Sequence, residues 1–125
     1  MFPDYAQLRA QEEAAAQVRG RHYVDWVPVI DEMRAAKRDD EALALLMEII
    51  PATERAAAVT GREPAPAYTG RAAIILRRRK DYLGEIRILE RYLAACPPDR
   101  HHEGFAERLQ KARALAAGSR PATST

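Results

Sequence analysis

The chain has 125 residues, 47% hydrophobic and 30% charged, with a net charge of +2 at neutral pH. That length implies about one domain, and that balance of apolar and charged residues excludes a disordered polyelectrolyte. The near-neutral total gives no reason by itself to expect nucleic-acid binding. A single cysteine, Cys96, cannot form an internal disulfide, so nothing asks for an oxidising compartment. Met1 to Leu8 lacks the apolar core of a signal peptide, and no run approaches the apolar length of a membrane span. The expectation is a cytoplasmic protein with no membrane contact.

Alanine makes up about a fifth of the chain, while strand-favouring residues are thin and nowhere alternate with polar ones. An all-α fold without a sheet is expected. The basic charge is nearly all arginine, with lysine only at Lys37, Lys80 and Lys111. Heavy use of alanine and arginine also fits a GC-rich genome.

Six helices are expected in chain order. The first runs from about Asp4 to Val18, between Pro3 and Gly20, with a thin stripe of Tyr5, Leu8, Ala15 and Val18 that should dock weakly. The second starts at Asp25 as N-cap, places Pro28 in its first turn, and runs to about Lys37. Trp26, Val29, Ile30 and Met33 recur there at three- and four-residue spacing and form one apolar face. The third starts at Asp39 or Asp40, whose acidic side chains suit a helix N-terminus. Leu43, Leu46, Ile49 and Ile50 line its inner side and Leu45 and Met47 widen the stripe, so this helix should be central. Pro51 should kink or shorten it, with a helical tail reaching about Val59.

Residues 61–66, with Gly61, Pro64 and Pro66, read as a linker. The fourth helix, from about Ala67 to Arg79, buries Ala72, Ala73, Ile75 and Leu76. Asp81 should cap the fifth, which carries Leu83, Ile86, Leu89, Tyr92 and Leu93 and stops at Pro97-Pro98. Asp99 should cap the sixth, from about Arg100 to Ala117, with Phe105, Leu109, Ala112 and Leu115 on one face. One domain over residues 1–117 and a small, polar, disordered tail over 118–125 complete the division.

The second and third helices align with the fourth and fifth at an offset of 43 residues, the separation of Lys37 from Lys80. Val29 lands on Ala72, Ile30 on Ala73, Met33 on Leu76, Leu46 on Leu89 and Ile50 on Leu93. Such repetition marks stacked helical hairpins that cannot bury their faces alone.

The pattern resembles the tetratricopeptide repeat over roughly Trp26 to Pro97. Ala72-Ala73 occupy the family's large-then-small pair, Leu76 its aromatic position, Tyr82 the turn and Pro97 the closing proline. In the first unit Trp26 matches the early tryptophan and Ala42 the small residue of the second helix. Three features depart from the family. The period is longer than its usual length of about 34 residues. Glu85 stands where a small residue belongs, and Pro51 replaces the first unit's closing proline. The resemblance implies a short array with flanking N- and C-terminal helices that cover its apolar ends, unless the protein dimerises through them. It also implies a non-catalytic interaction module or adaptor that binds a peptide or partner helix in a groove lined by the first helix of each pair. The residues facing that groove would be Asp31, Arg34, Arg71, Ile74, Arg77 and Arg78. The groove would be partly basic and would suit an acidic segment or a C-terminal carboxylate, since arginine binds carboxylates through two parallel donors.

Arg77-Arg78-Arg79-Lys80 offers an alternative, a small nucleic-acid-binding protein that touches phosphates through this run. Cations at a helix C-terminus also complement the helix dipole, which is reason enough for the run. Cys96, Asp99, His101, His102 and Glu103 cluster in sequence, but adjacent histidines on a helix point about 100° apart and do not readily chelate one ion. No Gly-rich phosphate loop, His-Glu-x-x-His or nucleophile elbow occurs, and the only serines are Ser119 and Ser124. Neither a catalytic set nor a cofactor is expected.

Overall fold

The computed structural model describes residues 4–119. The fold is all-α. Its helices are α1 (Tyr5–Ala15), α2 (Val27–Ala35), α3 (Asp39–Thr60), α4 (Pro66–Arg78), α5 (Tyr82–Ala95) and α6 (Glu103–Ser119). The tail expected over 118–125 falls mostly outside the described residues; Gly118 and Ser119 close α6.

The first departure from expectation lies between α1 and α2. Helix α1 stops at Ala15 instead of Val18, and two short strands, β1 (Gln17–Val18) and β2 (Arg21–His22), pair antiparallel. Arg19 and Gly20 turn the chain with φ of 51° and 81°. Two consecutive left-handed residues give the two-residue turn whose twist matches paired strands. A 3-10 turn over Tyr23–Trp26 follows, so the expected cap Asp25 lies inside it. His22 caps this turn, its Nδ1 accepting from the Val24 amide at 3.0 Å, and α2 itself starts without a side-chain cap. The Trp26 indole donates to the Val18 carbonyl at 2.9 Å, and the Arg21 guanidinium lies 4.9 Å from the centre of its ring.

Helix α3 runs unbroken for 22 residues, with Pro51 inside it, so the proline does not shorten it. Asp39, Asp40 and Glu41 occupy its first turn, where acidic groups complement the helix dipole. Gly61 ends it in the left-handed conformation. Helix α3 packs against α1, α2 and α4, the central place its wide apolar stripe predicts. Leu45, Leu46 and Ile49 are fully buried on it and meet Ile30, Ile75 and Leu89 in one core. Each such side chain contributes about 1.5–3 kcal/mol on leaving water.

The 43-residue repeat is written in the backbone. After α2 the Lys37 amide donates to the Arg34 carbonyl and the Arg38 amide to that of Met33, with Lys37 at φ 61°. After α4 the Lys80 amide donates to the Arg77 carbonyl and the Asp81 amide to that of Leu76, with Lys80 at φ 59°. These are the same Schellman closure at equivalent positions. Asp81 caps α5 as expected, accepting from the Gly84 amide at 2.9 Å. The cap of α6 is His102, not Asp99: its Nδ1 accepts from the Phe105 amide at 3.1 Å. Its ring stacks on that of Phe105 at 4.0 Å, so the imidazole is held from two sides.

Consecutive helices from α2 to α6 pack on one another. Links between alternate helices sort them into two layers. Arg71 of α4 pairs with Asp31 of α2 at 3.3 Å, and Phe105 of α6 lies against Gly70 of α4. In the other layer Arg91 of α5 grips Glu54 of α3 through two bonds of 2.7 and 2.8 Å. One layer is therefore α2, α4 and α6, and the other α3 and α5. Helix α1 buries none of its residues but lies along α3 in extensive contact, a closer docking than its thin stripe predicts.

Candidate functional site

On α4, Arg71, Ile74 and Arg78 recur at three- and four-residue spacing and share one face. Asp31 and Arg34 stand likewise on α2. The Arg71–Asp31 pair joins the two faces, so the structure brings together two of the six residues expected at the groove, while Arg34, Ile74 and Arg78 share those helix faces by spacing alone. Arg71 is half-buried and Asp31 exposed, a setting in which an ion pair contributes about 1 kcal/mol or less. Ile74 and Arg34 are half-buried and Arg78 is exposed. Neither the Arg34 nor the Arg78 side chain has an ion pair or hydrogen bond among the described residues, and the buried Arg34 Nε lacks an acceptor.

Arg77 is placed elsewhere. Its Nε donates to Glu85 Oε1 at 2.9 Å and its Nη2 to the Arg108 carbonyl at 3.1 Å. Arg108 Nε donates to Glu85 Oε2 at 2.7 Å. Glu85, which departs from the repeat in sequence, is thus a fully buried carboxylate held by two guanidinium groups. The triad ties α4, α5 and α6 and removes Arg77 from the groove. It also breaks up the basic run: Arg77 faces Glu85 and Arg79 pairs with Asp40, which leaves Arg78 and Lys80 without a carboxylate partner among the described residues.

A second concave surface was not expected. Leu43 and Met47 of α3, Leu76 of α4, and Gly84 and Ile88 of α5 line a groove of about 310 Å³. Met47, read in sequence as part of the inner stripe, is 43% exposed. The sequence signal that marks this surface is Gly84, a glycine inside a helix with no turn to explain it. A Cβ there would fall 2.5 Å from Asp81 Oδ2 and displace the cap of α5, so the position stays bare.

Around Cys96, burial pushes the thiol up from its ordinary range. The Tyr92 hydroxyl donates to the Pro64 carbonyl at 2.8 Å, and His102 Nδ1 is taken by its cap. Among the described residues no three His, Cys, Asp or Glu side chains are placed to hold a metal. No helix among them is long and apolar enough to cross a membrane. No family model matches this chain, and no match appears among curated proteins or solved structures.

Proposed function

We propose that the protein is a non-catalytic interaction module of the tetratricopeptide-like kind, binding an acidic peptide or partner helix across the faces of α2 and α4. The observation that carries this reading is the state of the arginines around Ile74. Arg34 and Arg78 have no carboxylate partner among the described residues, and the pair of Arg71 with the exposed Asp31 exchanges at little cost. On this reading an incoming acidic segment lies along the two helix faces and pairs with their guanidinium groups, Arg71 among them. Charge-assisted bonds of this kind contribute about 1.5–3 kcal/mol each. A cytoplasmic location belongs to the same reading.

The test is capture from nuclease-treated lysate by the wild type and by Arg34→Glu/Arg78→Glu. This pair leaves the internal Arg71–Asp31 and Arg77–Glu85 contacts alone. A discrete protein retained by the wild type should fall by about tenfold or more with the variant. Capture of nuclease-sensitive material alone would overturn the reading in favour of the phosphate-binding alternative.

A further inference from the structure

The groove between α3 and α5 is lined mainly by the layer of those two helices, with Leu76 added from α4. It is walled by Leu43 and Met47 on one side and by Gly84 and Ile88 on the other, each pair one helical turn apart. Of the large apolar side chains most exposed among the described residues, Met47 and Leu83 both lie in this layer, Leu83 at 56%. Walls repeating at helical spacing suit the apolar stripe of another helix.

The charge on the groove is one-sided. Its lining includes Arg87 and Arg91 and no carboxylate. Arg91 is spent on Glu54. Arg87 is exposed and has no ion pair or hydrogen bond from its side chain among the described residues. A second copy of this chain meeting the groove face to face would bring cations of the same sign together, which two-fold pairing disfavours. We infer that this groove is a second docking surface, which takes the apolar face of a partner helix bearing an Asp or Glu that pairs with Arg87. The chain then holds one partner on each layer. This inference rests on the groove itself and stands whether or not the α2/α4 face binds.

The experiment uses the full chain, isotope-labelled, titrated with two synthetic amphipathic helices that share one leucine face. One carries glutamates beside that face and the other lysines. The acidic helix should shift the amide signals of Met47, Gly84 and Ile88 and bind about tenfold more tightly than the basic one. Arg87→Glu should abolish or reverse that preference. Met47→Glu, at a position 43% exposed, should weaken the acidic helix by about tenfold while its helical signal matches the wild type. Arg34→Glu/Arg78→Glu should leave this binding intact. Shifts centred on Ile74 would overturn the inference, as would equal affinity for the two helices. So would a dimer in sedimentation that Met47→Glu dissolves, since a second copy would then be the occupant.

Discussion

Glu85 exposes none of its surface, and both its oxygens accept from arginine. Removing one member of such a set leaves the others desolvated without compensation. Glu85→Ala should therefore cost about 3 kcal/mol in urea unfolding. Replacing Glu85, Arg77 and Arg108 together by apolar residues of similar volume should cost much less, because no orphaned charge remains. If the single and triple variants lose equally, packing and not charge holds these helices together. In the sequence Glu85 stood out only as an acid at a position meant for a small residue. Its partners lie eight residues before and 23 after it, beyond any local pattern. The same blindness put Arg77 on the partner surface: helical spacing fixes the direction of a side chain but not what α6 brings to meet it.

Within a single element, Pro51 sets the clearest problem. Lacking an N–H, it leaves the Met47 carbonyl without its usual partner four residues on. The helix persists because Ile49, Ile50, Ala52 and Thr53 are buried around the gap, and the Thr53 hydroxyl donates back to the Ile50 carbonyl at 2.7 Å. Pro51→Ala restores the missing bond and should raise stability by about 1–3 kcal/mol, read as a higher melting temperature. A lower one would mean that the core is fitted to a bend the proline imposes. Helices α3, α4 and α5 were legible because their apolar residues recur at helical spacing over three or more turns. The strand pair was not. Two-residue strands are too short for alternation, and Arg19-Gly20 is not the Asn-Gly or Asp-Gly pair that announces such a turn. The helix-favouring Ala14-Ala15-Ala16 before it extended the expected helix instead. The caps at His22 and His102 were missed because sequence rules look for Asp, Ser or Thr there.

For the molecule as a whole, three tyrosines tie the layers to the chain between them. Burial pushes the Tyr68 phenol up to about 12 and raises Tyr23 and Tyr92 as well. Tyr23 and Tyr68 meet edge to face at 5.2 Å, and Tyr92 meets Phe105 so at 4.9 Å. Because the folded state favours the neutral phenols, their contribution is complete below the unfolded value of about 10 and is lost as pH rises toward 12. Helicity and tyrosinate absorbance should therefore change together between about pH 10 and 12. Ionisation of these tyrosines near pH 10 with helicity intact would contradict their burial. At this scale the repeat was legible, since equivalent turns at Lys37 and Lys80 carry equivalent residues. The α3/α5 groove was not, because three helices share its lining and none shows it alone.

The unequal burial of the helices also sets the order in which the chain comes apart. Helix α3 buries nine residues and α1 none. Two bonds from the Arg55 guanidinium, to the carbonyls of Ala15 and Gln17, fasten the end of α1 and the start of the strand pair to α3. Local opening takes the least protected unit first. Amide exchange in the native state is therefore expected to be fastest in α1 and slowest in α3. Opening of α1 alone would bare the flank of α3 that it covers.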